Sequence, residues 1–476
     1  MRVSRPSNLC RIPILVGLTL LLCVAIASPQ TVEEYVPGQA VMRINFGELA
    51  ETIISGTGAL VLDSIAGRQI YLLEFPKFIP IDSILARVGK NEGVIQIQPN
   101  YRHSFPECQQ MSQSFPDQNA PPFEEGAQPE SYYKQDALEV VHADSAGLLA
   151  DGEGVIVAVI DNGLDLDHPL FHQRIADGGY DFIDGDPTPA EDTGAMYGHG
   201  TFVSSMVSLL APGCTILPIR AFNSDGIGTT YSIMEALNLA TVSGARIANL
   251  SFCYPDYNPI LETAFHDAEL AGMILVAAAG NDSTSAASYP AAYTSVMGIS
   301  AIDTNEVLAD FSNYGDYVDL CAPGVNVYGA LPDDRWGWWS GTSFSAPIVS
   351  GICALVLSRD SAAPADVMRV HLEQTARTAL EWGGVDPPSL MYGFGCADGY
   401  KAVHAFSFGD MDNSGRVNLT DITRLVSFVY MSGGPAEIDP DLGNFNCAGQ
   451  INLADITDMV GFVYLGGGHF WPCYLE

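Results

Sequence analysis

Between Val155 and about Ala405 the chain alternates short, continuously apolar runs with longer segments of helical spacing. The runs include VIVAVID, TILPIRAF, RIANLSF and MILVAAAG; among them lie HGTFVSSMVSLL, SIMEALNLATVSG and ILETAFHDAELAG. Strand–helix alternation of this kind predicts an α/β fold, a parallel sheet with helices on both faces. Upstream, from about Gln39 to Tyr101, the order is strand (QAVMRINF), strand (GRQIYLLEF), helix (IDSILARVGK), strand (GVIQIQPN). This is a small α+β unit, too short to hold an enzyme site of its own. An acidic, Pro/Gln/Ser-rich stretch then predicts an exposed linker over residues 106–130. From Gly409 the pattern changes again. DITRLVSFVYMSGG (Asp421–Gly434) returns as DITDMVGFVYLGGG (Asp455–Gly468), 34 residues later, each copy behind a Gly- and Asn-containing loop. Two loop–helix copies predict a third compact unit.

The N-terminus is of another kind. Arg2, Arg5 and Arg11 precede the apolar run Ile12–Ala27, which closes on Ala25-Ile26-Ala27. A basic start, a short apolar core and an A-x-A site describe a secretory signal peptide over residues 1–27. The run is shorter than the ~20 residues of a spanning helix, and no later stretch reads as a span. Export and release, with no permanent membrane anchor, are expected. Cleavage would leave eight of the ten cysteines in an oxidising setting; Cys447 and Cys473 lie where a bridge is open to them, and no spacing reads as zinc ligation. The length of 476 residues allows two or three folded units. With 56 acidic against 20 basic side chains and a net charge of -36, binding to nucleic acid or to anionic lipid is excluded.

Three polar clusters stand out in the α/β region. Asp161 ends the strand VIVAVID, His199 opens the helical segment HGTFVSS, and Ser343 lies in SGTSFSAP before the apolar run IVSGICALVL. Taken singly, each reads equally as a turn former, a loop residue or an N-cap. In an open α/β sheet, strand C-termini and the helix N-termini that follow converge on one edge. An acid, an imidazole and a hydroxyl gathered there can perform acyl transfer: the imidazole takes the serine proton, and the carboxylate orients the ring and stabilises its charge.

The motifs Asp161-Asn162-Gly163, His199-Gly200-Thr201 and Gly341-Thr342-Ser343…Pro347, in that order, resemble those of the subtilases, the subtilisin family of serine proteases. The resemblance covers roughly Tyr132–Ala405, so a peptidase domain at residues 131–406 is expected. It implies that Asn281, in VAAAGND, donates with the Ser343 N–H to an oxyanion. It implies that Gly226, Ile227 and Gly228 pair with extended peptide substrate, with Leu250, Ser251 and Phe252 as the opposite wall. It also implies that residues 28–105 form a propeptide that assists folding and blocks the cleft, with self-cleavage between about His103 and Glu130. The chain departs from the family pattern at Asn162, which is expected to donate to Asp161, and at Phe202, Ser205 and Phe344. Cys253 and Tyr254 replace glycines and are expected to crowd the rim of the cleft.

The first C-terminal loop, GDMDNSGRVNLTDIT, places Asp410, Asp412, Ser414, Arg416 (by its carbonyl), Asn418 and Asp421 at EF-hand ligand positions, with Gly415 at the sharp turn; an all-oxygen set of this kind suits Ca²⁺. The second loop offers Asn444, Asn446, Asn452 and Asp455, with Ala448 in place of one ligand, so weaker binding is expected. The tandem copies resemble the dockerin domain over residues 407–476, which implies a cohesin-bearing scaffold as a partner; a free-standing calcium-stabilised domain fits the residues as well. A further loop, DFIDGDPTPAED, resembles a calcium loop of some heat-stable subtilases and offers Asp181, Asp184, Asp186 and Thr188. The expectation is therefore a secreted, bacterial, calcium-stabilised endopeptidase made as a zymogen and acting on protein or peptide substrates. Its rivals are an inactive protease-fold binding protein on a cohesin scaffold and an esterase.

Overall fold

The computed structural model describes residues 34–65, 67–106, 115–116, 129–359, 361, 363–378 and 389–406, with residues 422, 423, 425, 426, 456, 459 and 460 beyond them. The expected signal peptide lies outside the described residues. So do the calcium positions Asp410, Asp412, Ser414, Arg416, Asn418, Asp421, Asn444, Asn446, Asn452 and Asp455.

The N-terminal unit holds strands β1 (Tyr35–Ile44), β2 (Leu60–Ile65), β3 (Ile70–Glu74) and β4 (Val94–Ser104), with helices α1 (Ala50–Ile53) and α2 (Ile81–Val88). The strands pair antiparallel in the order β2-β3-β1-β4. Ala40, Met42, Ile44, Leu73, Phe75, Ile84 and Val88 form its own small core. Two elements escape the sequence reading, β2 and α1. The β2 run LVLDSI buries only Ile65, so this edge strand carries no clear alternation to read. The expected linker also touches the domain: β5 (Phe115–Pro116) pairs with a later hairpin strand.

Three short helices follow, α3 (Glu130–Tyr133), α4 (Asp136–Val140) and α5 (Ala143–Gly147), then β6 (Ile156–Asp161) and β7 (Tyr180–Asp181). Next come α6 (His199–Leu210), β8 (Thr215–Arg220), β9 (Ile227–Thr229), α7 (Thr230–Val242), β10 (Ile247–Leu250), α8 (Pro259–Leu270), β11 (Ile274–Ala278), β12 (Met297–Ile302) and β13 (Leu320–Pro323). The hairpin β14 (Val327–Leu331) and β15 (Arg335–Trp339) leads into α9 (Thr342–Arg359), α10 (Ala365–Thr375) and α11 (Gly399–Phe406). Seven strands form one sheet, β13-β12-β11-β10-β6-β8-β7, with every pairing parallel. The chain builds outward from β6 to β8 and β7, then returns to place β10 on the other side of β6. The strand ends beside that reversal form the crevice where sites of such sheets lie.

Helix α9 is buried from Thr342 to Leu357. It has the length and composition to cross a bilayer, which the sequence reading did not allow for, yet its window is 89% buried inside the domain. The N-terminal unit docks on α7 and α8. Gln98 Nε2 donates to Asn258 Oδ1 at 2.7 Å, the Tyr231 N–H to Asn100 Oδ1 at 3.1 Å, and Arg43 pairs with Asp267 at 3.4 Å. Val41, Ile65, Ile70 and Phe105 join the large domain's core.

Candidate active site

Asp161 is the last residue of β6 and His199 the first of α6, and both are fully buried. The imidazole Nδ1 donates to Asp161 Oδ1 at 2.7 Å, and the same oxygen accepts the Asn162 N–H at 2.9 Å. With the carboxylate as acceptor, Nδ1 carries the proton and Nε2 is left as the basic nitrogen. The two motif glycines explain the approach: a Cβ on Gly200 would fall on the Gly163 carbonyl oxygen. Asn162 differs from expectation. Its backbone, not its side chain, donates to Asp161. The side chain donates from Nδ2 to Met196 O at 2.8 Å and accepts the Gly200 N–H on Oδ1 at 2.9 Å, tying β6 to the start of α6.

A helix start leaves its first N–H groups without intrahelical partners. At α6 the His199 N–H donates to Met196 O at 3.0 Å and the Gly200 N–H to Asn162. Glu191 takes two more: Oε2 accepts the Gly198 N–H at 2.5 Å and Oε1 the Thr201 N–H at 2.6 Å. Thr201 Oγ1 in turn accepts the Asp165 N–H at 2.8 Å. The sequence reading missed Glu191, since a carboxylate eight residues before a helix start carries no capping signal.

Ser343 lies in the first turn of α9 and is fully buried. Pro347, four residues on, has no N–H for the Ser343 carbonyl. Ser251 Oγ supplies the donor at 2.7 Å, while Ser343 Oγ donates to Ser251 O at 3.2 Å. Ser251 is itself held, accepting from Asn249 Nδ2 at 2.9 Å, and Asn249 Oδ1 accepts from Ser350 Oγ at 3.0 Å. The expected wall residue therefore also anchors the serine. Asn281 Oδ1 accepts from the Thr342 N–H at 3.0 Å and from Thr342 Oγ1 at 2.9 Å, which turns its amide nitrogen away from Thr342. The departures Phe202 and Phe344 meet each other, ring centroids 4.7 Å apart, and Trp339 packs on both. Ser205 Oγ accepts the Ala330 N–H at 3.0 Å and joins α6 to β14.

Gly226, Ile227 and Gly228 are paired already, with the chain's own strand. β4 runs antiparallel to β9 in the register Arg102↔Thr229, His103↔Gly228, Ser104↔Ile227, and the Phe105 N–H donates to Gly226 O at 3.2 Å. On the other side the Cys253 N–H donates to Ser104 O at 3.4 Å. Leu250, Ser251 and Phe252 are buried in this wall, and Phe222 bridges Phe252 to Phe105 at 4.8 Å from each. Phe105 stacks on His199. The bulk of Tyr254 falls on His103, at 4.2 Å between rings, and the His103 Nε2 lies 2.9 Å from Thr230 Oγ1. Full burial pushes the His103 imidazole down to about 3.

The loop with Asp181, Asp184, Asp186 and Thr188 holds no cation cage. Arg220, at the end of β8, donates from Nη1 to Asp181 Oδ2 at 2.6 Å and Asp184 Oδ2 at 2.7 Å, and from Nη2 to Asp192 Oδ2 at 2.8 Å. Asp186 and Thr188 serve the turn, the Thr188 N–H donating to Asp186 Oδ1 at 2.7 Å. The guanidinium neutralises Asp181, Asp184 and Asp192, so a calcium ion at this loop would compete with Arg220 for two of its expected ligands. Among the described residues no group of three or more His, Cys, Asp or Glu is arranged to hold a metal.

Residues 152–395 match the subtilase family. The chain is 35% identical over 241 residues to the thermophilic serine proteinase of Bacillus sp. (strain AK1), spanning 48% of this chain and 57% of that protein. It is 36% identical over 234 residues to subtilisin BL of Lederbergia lenta, spanning 47% of this chain and 84% of the other. Fervidolysin of Fervidobacterium pennivorans shares the fold with a TM-score of 0.66 at 22% identity, over 78% of this chain and 62% of that one. The buried Asp–His pair, the serine at the head of the core helix and these matches lead to one conclusion: the chain belongs to the subtilase family.

Proposed function

We propose that this protein is an exported subtilisin-like serine endopeptidase, made as a zymogen. One observation carries the reading: the 2.7 Å pair of Asp161 and His199 stands, with Ser343, at the edge of a cleft that already holds an extended peptide strand. Ser343 Oγ attacks the scissile carbonyl as His199 Nε2 takes its proton, and Asp161 stabilises the imidazolium. The Asn281 amide and the Ser343 N–H receive the oxyanion. Loss of such an Asn costs about 10²–10³ in turnover, a magnitude measured in this same family. His199 then protonates the leaving amine, and water resolves the acyl-enzyme.

In this reading residues 28–105 are the propeptide, and β4 lies in the cleft as a substrate would, by main-chain pairing. Residues 407–476 are a calcium-binding, dockerin-like module, supported by the repeated DIT segments and the oxygen ligands from Asp410 to Asp421, with a cohesin-bearing scaffold as its partner. The test is the N-terminal sequence and mass of the purified chain beside its Ser343→Ala twin, each with calcium and with chelator. Loss of the first ~100 residues by the wild type alone is the expected result. Identical N-termini together with no fluorophosphonate labelling of Ser343 would overturn it.

A further inference from the structure

We propose that Glu191 is a positioning residue for the catalytic imidazole: by gripping the Gly198 and Thr201 N–H groups, it sets where α6 begins and so where His199 points. The proposal rests on the reading of His199 as the general base. His199 sits between the two gripped residues, while its own N–H is held by Met196 O and its Nδ1 by Asp161. Gly198, with φ of +99°, contributes no side-chain cap, so a remote carboxylate does that work. Both bonds are short, at 2.5 and 2.6 Å. An ionised carboxylate also suits a helix N-terminus.

The grip depends on charge. An anion accepts strongly on both oxygens; in the neutral acid the protonated oxygen is the weaker acceptor, so one of the two bonds loosens. Burial pushes the Glu191 carboxyl up to about 8, against the N–H groups of Thr201 and Gly198, with the Asp161 charge adding to the rise. The titratable groups facing it are Asp161 from β6 and Tyr197 from the segment before α6, with Asp165 and Asp333 around Tyr197. Below that pH the cap is half released; above it both donors are held. A folded pKa raised from 4.5 to about 8 also fixes the sign for stability. The contribution is fully present below 4.5 and lost as pH rises through about 8, so the ionised cap costs stability where it helps catalysis.

The experiment compares peptide p-nitroanilide hydrolysis by the wild type and Glu191→Gln, each matured from the full chain, between about pH 6 and pH 10. Gln stands in for the neutral acid. The expected kcat/KM ratio of wild type to variant is near one at the acid end and rises to about tenfold at the alkaline end. The change lies in kcat rather than KM, and the variant melts no lower than the wild type at about pH 9. A ratio that does not vary with pH, or a loss explained by a lower melting temperature, overturns the proposal. Absence of any Ser343-dependent hydrolysis in the wild type would instead sink the protease reading. In that case, or if the variant does not mature, the low-field Nδ1–H proton resonance of His199 is followed in the full chain carrying Ser343→Ala. It is expected to shift with pH through about 8 with Glu191 present and to stay flat with Gln; the same titration in both overturns the proposal.

Discussion

The ring of Phe105 lies against the imidazole of His199, centroids 4.2 Å apart and planes 18° from parallel. One belongs to the tail of the N-terminal unit and the other to the first turn of α6. The stack closes the basic residue off from solvent, and His199 has no exposed surface. Whatever opens the cleft must first lift this ring.

Phe105→Ala is therefore expected to loosen the closed state. Burying a Phe side chain is worth about 2 kcal/mol, roughly a 30-fold change in the closed-to-open equilibrium. In the uncleaved chain, fluorophosphonate should label Ser343 about that much faster in the variant. Equal labelling rates would show that the ring does not hold the cleft shut.

Acid should open the same contact. His103 is enclosed by Tyr254 and Thr230, and its imidazole falls from the ordinary 6.5 to about 3 because burial disfavours the cation. A lowered folded value means the docked strand takes up fewer protons than the free one. Docking is thus fully present above about 6.5 and is lost progressively as pH falls toward 3. Hydrogen exchange at the Phe105 amide, corrected for its intrinsic pH dependence, should quicken by up to about tenfold per pH unit in that window. His103→Leu should remove the dependence.

Ser251 and Pro347 are coupled through the Ser343 carbonyl. Ser251→Ala removes this side-chain donor to the carbonyl and is expected to cost about 1–3 kcal/mol in stability. Pro347→Ala supplies the missing N–H from within α9. In a double-mutant cycle followed by denaturant unfolding, the second change should recover about 1 kcal/mol of the first loss. Strict additivity would show that the two residues act independently.

Arg220→Met tests what holds the loop of residues 181–192. Its guanidinium and Asp181 are both buried, so removing the cation strands a carboxylate and is expected to cost about 3 kcal/mol. Chelator is expected to leave the wild-type loop's protection from proteolysis unchanged, because Arg220 already neutralises Asp181 and Asp184. A chelator-sensitive loop would restore the calcium reading.

Much of the fold was legible because burial on both faces writes itself as mostly apolar runs: IVAVID, TILPIR and ILVAA are β6, β8 and β11. The α2 helix and the β4 strand were read in place, though β4 runs on to Ser104, where its pairing with β9 holds it extended. The exposed edge strand β2 left no such trace. The motifs of Asp161, His199, Asn281 and Ser343 are local and so could be read, and the expected Asp161–His199 pair meets at 2.7 Å, its approach allowed by Gly200 beside Gly163.

The partners of the polar groups were not legible. Asn162 was expected to serve Asp161 and instead clamps Met196 and Gly200; Arg220, the partner of Asp181 and Asp184, had no local signal. Glu191 had no motif at all. Phe202 and Phe344 looked like two separate departures, yet they fill one space between α6 and α9. The sequence by itself determined the order of strands and helices and the residues able to do acyl chemistry, because periodicity and motif spacing are local properties of the chain. Only the tertiary structure decided which carboxylate caps which helix, which cation neutralises which acid and in what register β4 pairs with β9. Those choices are made through space, where charge compensation and hydrogen bonding couple residues that the chain keeps far apart.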